Sequence, residues 1–229
     1  MIPALLILAA FLAGSIPFGL LIGKAKGVDI RTQGSGNIGA TNLGRVLGRR
    51  YFFLCFALDA LKGFIPTLAG GLVLGAAGRL DLPIQQSAAW LAIMFASVLG
   101  HIFCPWLHFK GGKGVATSLG ALLGVWPALT LPGLLGLATF ALVLLVWRYV
   151  SLASIAAAVA IPFGVAAWFH LASIGIGPHP AGAVKVTHML PYLGLTLLLG
   201  ALVIWRHRTN IRRLRDGTEP KVGAKSARA

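Results

Sequence analysis

Apolar stretches long enough to cross a membrane recur along this chain and leave little room for any other kind of fold. They run over 2–23, 51–77, 84–107, 128–147, 151–171 and 187–205. A helix rises about 1.5 Å per residue, so about 20 residues cover a hydrocarbon core about 30 Å thick. Backbone groups find no water in that core, so stretches of this kind must be helices that satisfy their own hydrogen bonds. A seventh apolar stretch, 114–125, extends only about 18 Å at the same rise and is too short to cross upright. It is expected to be a half-helix, or a strongly tilted one, that starts at Gly111-Gly112-Lys113-Gly114 and ends before Pro127. The expected fold is all-α, a polytopic membrane helical bundle of seven membrane segments. One integral membrane domain covers 1–220 and a mobile basic tail covers 221–229. The composition agrees: only 11% of the residues are charged, about half the share in a soluble domain.

The charges are unevenly placed. Seventeen of the twenty Lys and Arg fall in loop 24–50, the 108–113 turn, Arg148 and the stretch after residue 205, whereas the opposite ends of the spans carry Arg79 and Lys185. The positive-inside bias then puts the glycine-rich turns and the C-terminus in the cytoplasm and the N-terminus outside. An odd number of segments requires the same split. The net charge of +15 therefore reads as topology. A nucleic-acid face would need an unbroken basic surface with stacking aromatics. The start of the chain lacks the positive n-region of a cleaved signal peptide, so it is expected to be a retained first helix with a possible kink at Pro17. Cys55 and Cys104 lie far apart in apolar runs and read as free, buried thiols.

Two turns on the basic side call for explanation. The stretch 31–50 reads R-T-Q-G-S-G-N-I-G-A-T-N-L-G-R-V-L-G-R-R and has no acid. Gly34, Gly36 and Gly39, with Ser35 and Asn37, can turn successive N–H groups toward one point and make a concave anion site. Arg45, Arg49 and Arg50 can add charge to it. The second turn is G-H-I-F-C-P-W-L-H-F-K-G-G-K-G over 100–114. Gly111, Gly112 and Gly114 permit close backbone approach, and Lys113 sits where the short helix begins. That helix end carries about +0.5 of a charge and free donors, which suits a phosphate or the oxyanion of an acyl transfer. The spacing is not that of a Walker A loop. Taken alone, a tight turn with an interfacial lysine explains the motif equally well.

Other polar residues on the basic side read first as structural. Ser151 is placed to be an N-cap, and Arg206 and Arg208 to be membrane-surface anchors. His207 and Asn210 share a face if the last helix continues through them. Asp59 and Lys62, inside the second span, are expected to pair, because a lone ion at that depth costs about 3 kcal/mol. His101 and His108 read as polar packing. The five acids, Asp29, Asp59, Asp81, Asp216 and Glu219, form no carboxylate pair and no metal motif. The site is therefore expected to need no metal and no cofactor, and to hold anions through Arg, Lys and N–H groups.

Several of these motifs together resemble the bacterial acyl-phosphate:glycerol-3-phosphate acyltransferase family. They are G-S-I-P-F-G (14–19), G-S-G-N-I-G-A-T-N (34–42) with Arg45, G-H-x-F-x-x-x-L-x-F-x-G-G-K-G (100–114) and H-R-x-N-I-x-R-L (207–214). The resemblance covers essentially the whole chain, including Asp59, Lys62 and Gly63. The H-x-x-x-x-D pattern of soluble glycerolipid acyltransferases is absent. The resemblance implies transfer of a fatty acyl group from acyl phosphate to the 1-hydroxyl of sn-glycerol 3-phosphate. The products are 1-acylglycerol 3-phosphate and phosphate, at the first step of phospholipid synthesis. It implies an enzyme of the bacterial inner membrane with its active site facing the cytoplasm, working as a monomer among membrane lipids. It assigns catalysis and acceptor binding to Ser35, Arg45, Lys113, Ser151, His207 and Asn210. Asn37 and the backbone of Gly34, Gly36, Gly39, Gly111, Gly112 and Gly114 would shape the phosphate and oxyanion sites. The acyl chain would lie in an apolar groove between helices.

His207 is the one evident neutral-pH base among these residues, and it can equally serve to orient a substrate hydroxyl. Both substrates carry phosphate, so a site nearly free of acids is expected. The rival reading is a transporter or channel for an organic phosphate, since broken helices and intramembrane charges also occur there. Against it, the polar residues gather on one face of the membrane and no internal repeat is visible.

Overall fold

The computed structural model of the protein describes residues 1–177 and 180–223. It is all helical: α1 (Ile2–Gly14), α2 (Phe18–Ala25), α3 (Ala40–Leu47), α4 (Arg49–Val73), α5 (Ile84–Ile102), α6 (Val115–Gly124), α7 (Thr130–Trp147), α8 (Val150–Ser173), α9 (Val186–Arg206) and α10 (Arg208–Arg215), with a 3-10 turn at Pro105–Leu107. Six stretches are long and apolar enough to span, the first made of α1 and α2 together, and α6 is the short seventh segment. The most buried of the spans is α5. Its Trp90, Met94, Val98 and Ile102 form the middle of the main apolar core with Leu122, Leu129, Phe169 and Tyr192.

The first span breaks between Gly14 and Phe18, where Pro17 removes an N–H and stops the ladder. The carbonyls freed there are answered from other helices: the Cys104 thiol donates to Ser15 O at 3.0 Å and the Lys62 ammonium to Ile16 O at 2.6 Å. Lys62 also pairs with Asp59 at 2.8 Å, with both side chains buried, and lies over the Phe18 ring. Asp59 and Lys62 thus tie α4 to the broken first span. Their third neighbour is His101 of α5, whose Nδ1 is 3.8 Å from Asp59.

Helices in lipid gain little from the hydrophobic effect and associate through close packing of small residues. Here α4 and α6 do so reciprocally. Gly63 faces the carbonyl of Thr117, and Gly120 faces the carbonyl of Ala60, with no room for a Cβ at either. Gly14 of α1 and Gly100 of α5 make the same kind of contact with Ser97 and Phe11. After α6 the chain turns at Trp126 and Pro127, and Trp126 O accepts a hydrogen bond from Gly78 N at 2.8 Å. One end of the bundle therefore gathers 74–83 and 125–129. The opposite end gathers the glycine turns, Arg148 and the chain after α9, through the bonds described below.

One feature differs from expectation. Loop 24–50 contains helix α3, an amphipathic helix of about two turns whose Ala40 and Leu43 are buried with Ile38 against Leu20 and Cys55. Near the end of the described chain, Val222 N–H donates to Arg148 O at 2.8 Å and its carbonyl accepts from Arg148 Nη2 at 2.7 Å. Residues 224–229 lie outside the described residues. The α4–α6 approach is tested by Gly120→Val, whose side chain meets the Ala60 carbonyl. Overpacking of this kind costs about 1–3 kcal/mol, so the melting temperature in detergent should drop, whereas Gly194→Ala, with open space around it, should leave it unchanged.

Candidate active site

Three helix ends meet at the basic end of the bundle. Lys113 stands just before α6, Ser151 is the second residue of α8, and His207 and Asn210 flank the α9–α10 junction. The Lys113 Nζ donates to Asn210 Oδ1 at 2.5 Å. A carboxylate joins Asn210 to Ser151. Glu219 Oε1 accepts from Ser151 Oγ at 2.7 Å and from Asn210 Nδ2 at 2.6 Å, and Oε2 accepts from Arg213 Nε at 2.7 Å. The turn after α10 delivers it, with the N–H groups of Thr218 and Glu219 both on the Arg213 carbonyl. Arg45, on α3, completes the group within electrostatic reach of Glu219 and Arg213.

Expectation and structure part here in four ways. The site, expected to be nearly free of acids, holds one of the five, Glu219, as its buried hub. Ser151 is not an N-cap, because α8 starts at Val150 and Tyr149, two residues earlier, holds that position; the Ser151 hydroxyl is free to serve Glu219. The last helix does not continue through Asn210, since it ends at Arg206 and restarts at Arg208. His207 and Asn210 are nevertheless both buried, 2% and 4% exposed. Fourth, the 34–39 glycine loop does not aim its amides at one point. Ser35 N–H donates to Asn42 Oδ1 at 2.8 Å, Gly36 N–H to Gln33 O at 3.0 Å and Gly39 N–H to Asn37 Oδ1 at 2.9 Å. Buried Asn42 also donates to the carbonyls of Ile30 and Gln33. The loop is folded around an asparagine. Gly34 and Gly36 serve it with φ of +58° and +67°, a region where a Cβ is strained. The Ser35 side chain is exposed, and no hydrogen bond joins its hydroxyl to the Lys113 cluster among the described residues.

Free backbone donors lie instead at the start of α6. The N–H groups of Gly111 and Gly112 turn back onto Ile102 O and His101 O. From Lys113 to Thr117 no backbone N–H has an acceptor among the described residues. Gly114, at φ +82°, makes the entry into the helix. This end thus presents a row of donors and a helix dipole beside the Lys113 ammonium.

Burial shapes the charges. It pulls the Lys113 ammonium down to about 8, with Glu219 opposing the shift and Arg213, Arg45 and Arg206 adding to it. Burial, aided by the charge of Lys113, lowers His207 to about 4. A carbonyl can only accept, so the 2.8 Å contact of His207 Nδ1 with Val203 O puts the proton on Nδ1 and leaves Nε2 as an acceptor. Burial raises Glu219, but the hydrogen bonds from Asn210, Ser151 and Arg213 together outweigh it and hold the carboxyl below its usual range.

Directly below this cluster runs an apolar groove, open along one side and about 570 Å³ with that open space included, lined by Phe56, Leu119, Leu122, Leu137, Phe140 and Ile161 among others. Three of the helices that meet at the cluster also line the groove about one turn further in. On α6 the pair is Lys113 then Val115 and Ser118, on α8 Ser151 then Ser154, and at the end of α9 His207 then Val203. A cationic head site over an apolar groove, both inside a membrane bundle, defines a membrane protein that handles anionic amphiphiles.

Comparison with known proteins narrows that class. The glycerol-3-phosphate acyltransferase family model matches residues 4–217. The glycerol-3-phosphate acyltransferase of Geotalea daltonii is 47% identical over 215 residues, covering 93% of this chain and 94% of the relative. That of Aquifex aeolicus is 42% identical, covering 93% and 96%. Crystal structures of PlsY (YgiH), an integral membrane glycerol 3-phosphate acyltransferase, superpose over 97% of this chain and 96% of that one. The glycerol 3-phosphate form gives a TM-score of 0.78 at 39% identity and the lysophosphatidic acid form 0.76 at 38%. The chain belongs to the glycerol-3-phosphate acyltransferase family and is a membrane acyltransferase. The transporter reading has no support.

Glu219 is the residue that sequence reading missed and the geometry singles out. Removing it leaves three donors unpaired, each hydrogen bond to a charged group contributing about 1.5–3 kcal/mol. Glu219→Ala should therefore lower the melting temperature in detergent more than Glu219→Gln, which keeps an acceptor for Ser151 and Asn210. Equal melting temperatures for the two variants would show that the hydrogen bonds on Oε1 carry no stability.

Proposed function

We propose that the protein transfers a fatty acyl group from acyl phosphate to the 1-hydroxyl of glycerol 3-phosphate, releasing 1-acylglycerol 3-phosphate (lysophosphatidic acid) and inorganic phosphate. The observation that carries this is the continuity of cluster and groove: an acyl phosphate has an anionic head and one long apolar tail, and the site has a place for each. The relatives' names and the glycerol 3-phosphate and lysophosphatidic acid forms of PlsY support the acceptor and the product.

In the proposed reaction, the 1-hydroxyl oxygen attacks the carbonyl carbon of the mixed anhydride. The bond from that carbon to the phosphate oxygen breaks, and phosphate departs with the electron pair. Phosphate is a good leaving group, so the protein supplies mainly proximity and charge stabilisation. Lys113, Arg45 and the amides of 113–117 hold phosphate oxygens and the developing oxyanion, while Ser151 and Asn210 hold the acceptor. Ser35 joins them when the glycine loop meets the substrate. The hydroxyl proton passes to a phosphate oxygen. His207 orients the hydroxyl through Nε2, because a group with a pKa of about 4 is too weak a base for the abstraction. Asn37 and the glycines of 34–39 shape the first loop, and Gly111, Gly112 and Gly114 the second.

The working unit in this reading is a monomer, with 1–220 as its membrane domain. The concentration of Lys and Arg at the site's end of the bundle supports a cytoplasm-facing site in a bacterial inner membrane.

Two measurements test this reading. Purified protein given glycerol 3-phosphate with acyl phosphate, acyl-CoA or acyl-carrier protein should form lysophosphatidic acid with the first alone. Efficient use of acyl-CoA would overturn the donor assignment. The pH dependence should show a break near 8, above which KM for a phosphate substrate rises as Lys113 loses its proton. Glu219→Gln removes a charge that favours the ammonium and should move that break to lower pH. Below it, kcat should stay level to about pH 5. An acid limb near pH 6.5 that vanishes in His207→Ala would reinstate His207 as the base.

A further inference from the structure

Two arginines flank His207 at the junction of α9 and α10, and they behave differently. Arg208 is exposed, its guanidinium 5.0 Å from the Trp205 ring centre. Arg206 turns inward, half-buried, and its Nη2 donates to the carbonyls of both Gly111 and Gly112, at 2.9 Å each. It reaches across 94 positions of sequence to hold one turn of backbone. A topology anchor, as the sequence suggests for a basic helix end, would leave this group in water.

The effect on the turn follows from the trans peptide, in which C=O and N–H point in opposite directions. The Gly112 carbonyl belongs to the same peptide as the Lys113 N–H. Drawing that carbonyl onto Arg206 turns the Lys113 N–H away from Arg206, into the row of unpaired donors that opens α6. The preceding peptide is fixed on both sides: its carbonyl lies on Arg206 and its N–H, that of Gly112, on His101 O at 3.2 Å. Gly112 has no space for a side chain, because the His101 imidazole occupies it. The turn is thus clamped, with His101 on one side and Arg206 on the other. A two-glycine turn would otherwise sample many conformations, and its donors would be ordered only when substrate arrived.

We infer that Arg206 is a positioning residue for the acyl transfer, which acts through the 111–113 turn by holding the Lys113 N–H and the first amides of α6 toward a substrate phosphate. The inference rests on the acyl-transfer reading above. Either phosphate, the acceptor's or the donor's, has the chemistry these amides recognise, and the substrate whose KM moves identifies which.

The test is steady-state kinetics of Arg206→Ala and Arg206→Lys in detergent, varying each substrate separately, with melting temperatures alongside. Wild-type turnover is established first, and absence of any acyl transfer there overturns the proposed function and, with it, the role assigned to Arg206. Given wild-type turnover, Arg206→Ala should raise KM for one phosphate substrate by about 10–100-fold, the range found for outer partners that orient metal ligands. Added guanidinium ion, supplied below denaturing concentration, should restore part of the loss, and Arg206→Lys should fall between. Unchanged KM values for both substrates would overturn the inference. So would a loss confined to kcat that tracks a lowered melting temperature and does not respond to guanidinium. If Arg206→Ala does not fold, Arg206→Lys carries the same comparison, and a KM equal to wild type for both substrates would again reject it.

Discussion

A helix too short to cross the membrane is held in the bundle by backbone-to-backbone contact, and much of the structure depends on that contact. Gly63 and Gly120 let α4 and α6 approach until the glycine backbone of one faces a carbonyl of the other. The contact fixes how deep α6 begins, and so the depth of Lys113, of the free amides behind it and of the upper end of the groove. In lipid, where apolar surface has little reason to leave its surroundings, such packing is one of the few sources of precision. The same device recurs between α1 and α5, whose glycines set the broken first span against the helix that carries His101.

The polar end of the bundle solves a different problem. Lys113, Arg45, Arg206 and Arg213 gather near one another and repel. A single carboxylate, Glu219, takes hydrogen bonds from Ser151, Asn210 and Arg213 and offsets part of that repulsion. One acid balancing several bases leaves a net positive site, still suited to phosphate, without forcing Lys113 to give up its proton at neutral pH. Attraction for substrate and tolerance of one's own charges are opposing demands, and Glu219 sits where they meet.

The fold was largely legible because a membrane span announces itself by length and apolar content alone, and a proline as well placed as Pro17 marks its own break. The short α6 followed from simple arithmetic on its length. The site was legible in its cations, since Lys113, Ser151, His207 and Asn210 stand at helix ends on the basic side and helix ends share a plane. Long-range pairing was not legible. Nothing local in Glu219 says that a turn after α10 will carry it onto Ser151, 68 positions earlier. Arg206 and Arg208 look alike until the helix shows which one faces inward. The glycine loop misled because Gly, Ser and Asn suit an anion cradle and an asparagine-centred turn equally well, and only buried Asn42 distinguishes them.

In the proposed reaction the groove and the cluster meet at the membrane boundary, so the two substrates come from phases of different dimension. Glycerol 3-phosphate reaches the cluster from water in three dimensions. A long-chain donor that occupies the groove arrives sideways, by diffusion within the plane of the bilayer, and its product can leave the same way without crossing water. For that partner the relevant concentration is a mole fraction of lipid rather than a molarity. Diluting the membrane with inert lipid or detergent then acts on the enzyme as dilution of its substrate does on a soluble one.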